Sequence, residues 1–344
     1  MTTAFREKWA ILVGPQEYKH IKPLQYSTAD IVDVGQMFRQ YLDFKDDNIL
    51  EFGTKLSLEP LEHVIQHELG GLLNCGKVHE EDLLVFYFSG HGFRDNKDYL
   101  LPVEASPNNL KRTAIEFEDL VSQLTDSKCN NIVLLLDMCR EAITGERGIV
   151  SIGEESRQVV ERAGFATIFS CEQKQLSFEI DELQHGSFTH CFLEGIKSGK
   201  YVSLGEMYQY LVEEVPTTNK KYGKPSQRPY PVQAGDKWNL PIFLSSTHLA
   251  ASAKRFDELD ECIKNVYARG EITLTYFETL AEFLADVREK QLTDYEKEKL
   301  NLLERLCKGK LKTTALRTIW EGIEKRRLLI GDQPPPKPDL GKLE

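Results

Sequence analysis

Two apolar segments, DLLVFYF (residues 82–88) and NIVLLL (residues 131–136), decide the fold that this sequence is expected to adopt. Both are short, continuously apolar and bounded by polar residues or glycine, which is typical of strands buried on both faces of a parallel sheet. Between them, residues 115–124 predict a helix, so the three segments form a strand–helix–strand unit. In such a unit the strands are parallel, and the carboxyl ends of neighbouring strands lie at the same edge of the sheet, where open α/β sheets place their sites.

Further segments extend this pattern along the chain. The order of strands and helices predicts an α/β fold with a mostly parallel sheet covered by helices on both faces. The expected strands are 8–13, 49–52 and 165–170, and the expected helices are 30–42, 61–72, 187–196, with Ser187 as a cap, and 204–215. We assign residues 1–249 to this domain, residues 250–330 to a small all-α bundle of four helices, and residues 331–344 to a disordered tail.

The overall composition narrows the classes of function. The net charge of −11 argues against a nucleic-acid-binding protein, because phosphate binding requires a basic surface. No apolar run approaches the ~20 residues that span a bilayer, and the N-terminus lacks the apolar core of a signal peptide. The seven cysteines show no CxxC or CxxH spacing, which favours packing roles in a reducing compartment over disulfides or a zinc site. We therefore expect a cytoplasmic protein without a membrane contact.

A histidine and a cysteine follow the two apolar segments. His91 lies in FSGHG and Cys139 in LDMCR, 48 positions apart. If the two strands are neighbours, thiol and imidazole meet at one edge of the sheet. His91 then takes the thiol proton, and the thiolate attacks a carbonyl carbon. The backbone N–H groups of Gly92 and Cys139 are the expected oxyanion donors.

These motifs identify a resemblance over residues 8–246. FSGHG and DMCR, together with the later segments SCEQKQLSFE (170–179) and HGSFT (185–189), resemble the caspase/metacaspase clan of cysteine peptidases. The spacing of histidine and cysteine agrees with the caspase signature. The residue two before the cysteine is Asp137, as in metacaspases and paracaspases, where caspases have Gln. The resemblance therefore implies a metacaspase-like Cys–His peptidase.

The same resemblance implies a specificity. Asp137 and Asp30 match the two acids that hold a basic side chain in the S1 pocket, with Ser177 and Glu179 on the pocket wall. Two carboxylates favour Arg over Lys at P1, the residue before the scissile bond. Simpler roles stay open: Asp30 as an acid in the first turn of a helix, and Asp137 as a cap of the turn after its strand.

Members of the clan often cleave themselves between the two parts of the domain. A polar, mobile segment is expected at about 141–164, and Arg147, Arg157 and Arg162 are the candidate cleavage sites within it. No cofactor is required by this chemistry. Calcium activation is common among metacaspases. Glu116, Glu118 and Asp119 are acidic but are better explained as solvated charges, and calcium dependence stays open. The pair His63/His67 lacks a third ligand, so we predict no metal site.

Three functions compete. The first is an endopeptidase that cleaves protein or peptide substrates after a basic residue. The second is a catalytically silent caspase-like scaffold that acts through its helical domain. The third is a different Cys–His enzyme on a similar frame, such as an acyl transferase. The helical domain itself is expected to bind a protein partner, with a structural buttress as the alternative.

Overall fold

The computed structural model describes residues 5–53, 58–95, 97–139, 154–172, 175–232, 235–244, 246–288 and 294–330. The chain divides into two compact units, with the boundary between Ser246 and Thr247. Within the described residues, no helix combines the length and the apolar composition needed to cross a bilayer.

The first unit is built around a mostly parallel sheet, as predicted. The strand order is β10-β7-β6-β3-β1-β2, and every pair along it is parallel except the antiparallel pair β10 and β7 at one edge. The strands are β1 (Lys8–Val13), β2 (Ile49–Phe52), β3 (Leu83–Asp95), β4 (Lys97–Leu100), β5 (Ile115–Glu116), β6 (Asn131–Cys139), β7 (Ala166–Phe169), β8 (Glu179–Ile180), β9 (His185–Gly186) and β10 (Tyr230–Val232). Strands β8 and β9 form a separate two-stranded sheet.

Helices cover both faces of the large sheet, which explains its continuously apolar strands. Leu83, Val85 and Tyr87 of β3 face one core, and Leu84 and Phe86 face the other, because successive strand residues point to opposite faces. The helices of this unit are α1 (Ser27–Leu42), α2 (Glu62–Asn74), α3 (Leu110–Thr113), α4 (Phe117–Thr125), α5 (Glu154–Ala163), α6 (Ser187–Ser198) and α7 (Leu204–Lys221). The first core includes α1, α6 and α7, and the second includes α2 and α4.

Two local predictions are wrong. Strand β3 does not end at Phe88 but continues through His91 and forms an antiparallel hairpin with β4. Polar residues in this extension are buried in the protein, so the loss of apolar character does not mark the end of the strand. Ser187 is not the cap of α6: Gly186 occupies that position, and Ser187 Oγ donates to Gln227 Oε1 at 2.9 Å.

The described residues of the second unit form four helices with a core of their own, which includes Ile263, Leu280, Leu303 and Trp320. They are α8 (Ser246–Ala268), α9 (Leu274–Val287), α10 (Asp294–Cys307) and α11 (Thr313–Ile330). Predicted tail residues 331–344 lie outside the described residues.

A disulfide joins α8 to α10 in this second unit. It links Cys262 to Cys307, whose Cα atoms are 5.8 Å apart. The prediction that both are unpaired packing cysteines is therefore wrong. Their separation of 45 residues carries no recognisable spacing motif, and only the packing of the two helices brings them together. The cytoplasmic location stays a prediction.

Candidate active site

The paired strands β3 and β6 bring His91 beside Cys139. The two strands are parallel, and their register runs from Leu83 opposite Asn131 to His91 opposite Cys139. Adjacent strands lie about 4.8 Å apart, so the backbones of the two residues are direct neighbours. The prediction that the two strands of the strand–helix–strand unit are parallel neighbours is therefore confirmed.

The surroundings of His91 determine which ring nitrogen can act as a base. The side chain is buried, and its ring lies against Tyr18 with 4.8 Å between centroids. Tyr18 OH also accepts the backbone N–H of His91 at 2.9 Å. Nε2 lies 3.0 Å from the carbonyl oxygen of Lys22, which can only accept a hydrogen bond. Nε2 therefore carries the proton in the neutral ring, and Nδ1 carries the lone pair.

Gly92 follows His91 in the hairpin of β3 and β4. Leu101 N–H donates to His91 O at 3.0 Å, and Gly92 is opposite Leu100 in the register. Because hydrogen-bonded and non-bonded pairs alternate in an antiparallel ladder, Gly92 N–H is directed away from β4. A Cβ atom at position 92 would lie only 3.1 Å from Met138 Sδ, so the backbone approaches β6 closely here.

Asp137 is buried two residues before Cys139. Ser177 Oγ donates to its Oδ1 at 2.6 Å, and Thr189 Oγ1 donates to its Oδ2 at 2.7 Å. Burial and, second, the charge of Asp30 raise the pKa of Asp137 to about 6, against the effect of these hydrogen bonds. The hydroxyl groups of Ser177 and Thr189 therefore hold the carboxyl group in place, and neither donor is charged.

Asp30 lies in the first turn of α1 and is also buried. It accepts hydrogen bonds from Ser89 Oγ at 2.6 Å, from His185 Nδ1 at 2.8 Å and from Gly186 N–H at 3.2 Å. The position suits the helix dipole, as the simpler interpretation proposed. The same carboxylate nevertheless belongs to the buried cluster around β3 and β9.

Both carboxylates approach Gly186. A Cβ atom built on Gly186 would lie 2.7 Å from Asp137 Oδ2 and 3.4 Å from Asp30 Oδ2. Both acids predicted from the sequence therefore flank the same glycine, at the carboxyl edge of the sheet that also bears His91 and Cys139.

The two residues predicted for the pocket wall differ in position. Ser177 contacts the Asp137 carboxylate directly. Glu179 accepts instead from the backbone N–H groups of Gln25 and Tyr26, at 3.0 and 2.7 Å, and so anchors the segment that leads into α1. Burial raises the pKa of Glu179 despite these bonds.

Sequence reasoning assigned no role to several residues that hold the two carboxylates. Ser89 and Thr189 each donate to one of them, and His185 contacts Asp30. Ser89 precedes Gly90-His91, and the other two lie in the HGSFT segment, so the motifs contained a signal. Behind them, the buried Gln227 donates to Ser177 Oγ and to Ser170 O.

The candidate cleavage sites fall into two groups. Arg157 and Arg162 lie within α5, where Arg157 stacks over the ring of Tyr230 and Arg162 Nε donates to Gln158 O. Arg147 lies outside the described residues.

The remaining candidates for chemistry are less suited to it. Burial raises the pKa of Cys129 to about 11 and that of Cys191 to about 12, which disfavours their thiolates. Lys97 pairs with Glu116 and Glu118, of which Glu118 is exposed and Glu116 is largely buried. Across the described part of the chain, no group of three or more His, Cys, Asp or Glu side chains is arranged to hold a metal ion.

The chain is similar to several known proteins. The caspase-domain family model matches residues 7–236. A paracaspase from Dictyostelium discoideum is 28% identical over 118 residues, which cover 34% of this chain and 27% of the paracaspase. The match thus spans about a quarter of that relative. A crystal structure of the protein GSU0716 from Geobacter sulfurreducens superposes with a TM-score of 0.48 at 16% identity, over 70% of this chain and 97% of that one.

The fold and the family match define the class as a caspase-like cysteine peptidase domain. The chain belongs to the caspase-domain family, which confirms the resemblance found in its sequence.

Proposed function

We propose that this protein is an endopeptidase that cleaves after Arg, and less readily after Lys, with Cys139 as nucleophile and His91 as base. One relationship carries the proposal: the register of β3 and β6 pairs His91 with Cys139 at the edge of the sheet where Asp137 and Asp30 flank Gly186. This relationship supports a site in which a nucleophile, a base and two buried acids for the substrate side chain lie close together.

The surroundings of His91 support a route for the proton. The Lys22 carbonyl holds Nε2–H, so Nδ1 takes the proton of the Cys139 thiol. The thiolate attacks the scissile carbonyl carbon, and the oxyanion receives hydrogen bonds from Gly92 N–H and Cys139 N–H. The imidazolium then protonates the leaving amine, and His91 activates the water that hydrolyses the thioester.

The buried carboxylates support selection of a basic side chain. The hydrogen bonds to the Asp137 carboxylate come from the hydroxyl groups of Ser177, Thr189 and Ser170, and none of these donors is charged. A guanidinium group supplies several N–H donors in a fixed plane, so it can contact the oxygens of both Asp137 and Asp30. The shorter reach of an ammonium group, which is a point charge, makes Lys the poorer substrate.

Hydrolysis of fluorogenic peptides tests this function. Peptides that differ only in Arg, Lys or Asp at P1 are compared with and without calcium, and the Cys139→Ala variant is the control. We expect turnover of the Arg peptide, weaker turnover of the Lys peptide and none with the variant. Absence of turnover for every peptide under both conditions would favour the silent scaffold.

The second unit supports a regulatory proposal. Its four described helices form a hydrophobic core of their own. We assign to this unit the binding of a protein partner. A pull-down with the whole chain as bait tests this role, and the bait carries Cys139→Ala so that it does not degrade the captured protein. A chain that retains no specific partner, and whose sheet unit loses stability when 247–344 is removed, would indicate a buttress.

A further inference from the structure

His185 connects the candidate S1 pocket to the surface of α1. Its Nδ1 lies 2.8 Å from Asp30 Oδ1, and its Nε2 lies 3.0 Å from Asp33 Oδ2. The exposed fraction of the side chain increases outward along this row, from 2% for Asp30 through 12% for His185 to 44% for Asp33. The imidazole is thus held between one buried and one half-exposed carboxylate.

This geometry favours a particular protonation state. An ionised carboxylate only accepts hydrogen bonds, whereas a neutral imidazole has a single N–H. Nδ1 of His185 is hydrogen-bonded to Asp30, and Nε2 faces a second carboxylate oxygen, so an imidazolium, which has an N–H on each nitrogen, suits this position better than a neutral ring. Burial opposes this charge, but the hydrogen bond to Asp30 and the charges of Asp30 and Asp33 outweigh it and raise the pKa of His185 above its ordinary value.

The charged groups around His185 belong to four elements. Asp30 and Asp33 lie on α1, and Asp137 of β6 approaches the same glycine, Gly186, as Asp30. On β8, Glu179 is opposite Gly186 in the register, and burial and the charge of Asp30 raise its pKa. On α6, burial lowers the pKa of His190, and the positive charge of His185 contributes in the same direction. Among these described residues, the local balance comprises four carboxyl groups and one imidazolium.

We propose that His185 is a specificity-determining residue of the S1 pocket, a built-in imidazolium that offsets the charge of Asp30 and lets Asp137 ionise to receive the P1 cation. This role deepens the proposed peptidase function and rests on it. Without the imidazolium, the two nearby carboxylates repel each other, and Asp137 keeps its proton to a higher pH. His185 acts through Asp30 and is a positioning residue that does not contact the reacting atoms.

The test compares full-length wild type with His185→Gln, which can still donate one hydrogen bond but carries no charge. Two peptide substrates are used, with Arg or the uncharged analogue citrulline at P1. Ionisation of Cys139 and His91 affects the kcat/KM values of both substrates equally. Its effect therefore cancels in the ratio of the two values. We expect His185→Gln to raise the pH midpoint of this ratio by about one unit. Near pH 6 the preference for Arg then falls about fivefold, and at pH 8.5 it equals or exceeds that of wild type.

Asp33→Asn serves as a second variant, because its side chain is half-exposed and its replacement leaves Asp30 in place. It should move the midpoint in the same direction by a smaller amount, since His185 loses one of the two carboxylates that keep it charged. A merely structural role for His185 would lower both kcat/KM values together and leave the midpoint unmoved, which would overturn the proposal.

A measurement that needs no turnover separates this proposal from the peptidase function. In protein labelled with ¹⁵N-histidine, the His185 signals are assigned by their loss in His185→Gln. They should show two protonated ring nitrogens at pH 7, and a neutral ring would overturn the proposal. If the ring is an imidazolium but the chain cleaves neither peptide, His185 is charged between Asp30 and Asp33 as described. Both the peptidase function and the pocket role of His185 would then be wrong.

Discussion

His91 and Cys139 are register partners at the last position that strands β3 and β6 share. Their side-by-side placement follows from the pairing of two parallel strands. The residues on which the proposed chemistry depends are therefore held by the sheet and not by a loop, and substitutions in the neighbouring pocket should change specificity without separating them.

Replacing Asp137 with Asn should abolish selection for Arg and leave the thiol reactive. The variant removes the charge that faces the substrate guanidinium while keeping the shape of the side chain. We expect kcat/KM for the Arg peptide to fall about 100-fold, the scale of losing one partner of a buried ion pair. The alkylation rate of Cys139 by iodoacetamide should stay within about twofold of wild type, an order-of-magnitude expectation for an intact dyad. Undiminished Arg turnover would show that the pocket assignment is wrong.

A methyl group at Gly186 should obstruct the same pocket. The backbone angles of Gly186, φ −60° and ψ 141°, suit alanine, so the effect of Gly186→Ala arises from its Cβ, placed 2.7 Å from Asp137 Oδ2. We expect kcat/KM for the Arg peptide to fall at least about tenfold, with a stability cost of about 1–3 kcal/mol.

The matched control for this substitution is Gly71→Ala in α2, where no atom lies within 4 Å of the added Cβ. That change should keep full activity and raise the free energy of unfolding by up to about 1 kcal/mol, because alanine favours the helix. Equal activity of the two variants would contradict the placement of the pocket at Gly186.

Substrate selection should depend on pH through Asp137. Because the pKa of this carboxyl is raised to about 6, and because a bound guanidinium favours its ionised form, Arg binding releases a proton near that pH. KM for the Arg peptide should be constant above about pH 7 and rise as the pH falls through 6. The citrulline peptide, which needs no charge in the pocket, should show no corresponding change in KM. A KM for Arg that stays flat down to pH 5 would mean that Asp137 does not hold the P1 side chain.

Self-processing should occur after Arg147 and not after Arg157 or Arg162. Proteolysis requires an extended segment, and the latter two residues lie in helix α5, which would first have to unfold. Incubated wild type should yield a new N-terminus at Gly148, and this product should be absent from Cys139→Ala and Arg147→Ala. Termini at 158 or 163 in the wild type would show that α5 opens readily, and intact masses throughout would count against self-cleavage.

Reduction of the Cys262–Cys307 disulfide should weaken the helical unit alone. Closing a loop of 45 residues stabilises a folded chain by up to about 4 kcal/mol through the entropy of the unfolded state. Cys262→Ser should therefore accelerate hydrogen exchange in α8 and α10, and wild type with dithiothreitol should behave in the same way. Cys75→Ser, at an exposed free cysteine, is the control and should exchange like wild type. Unchanged exchange in Cys262→Ser would show that the disulfide contributes nothing to this unit.

The sequence by itself determined the parallel sheet, the pairing of its central strands and the four helices of the second unit. These features follow from apolar runs and helical periodicity, which are local properties of the chain. Once β3 and β6 were predicted as neighbours, the positions of His91 and Cys139 at their ends followed, and the motifs around them led to the caspase-domain family.

Tertiary structure alone decided how the carboxylates are held. Asp30 and His185 are separated by 155 positions, and Asp137 and Thr189 by 52, so no local pattern links them. The same holds for the disulfide between α8 and α10, and for Ser187, which looked like a helix cap and instead donates to Gln227. Such contacts depend on which elements pack together. The neighbours of a residue in sequence largely determine its secondary structure. Its protonation state depends on partners that only the folded chain brings close.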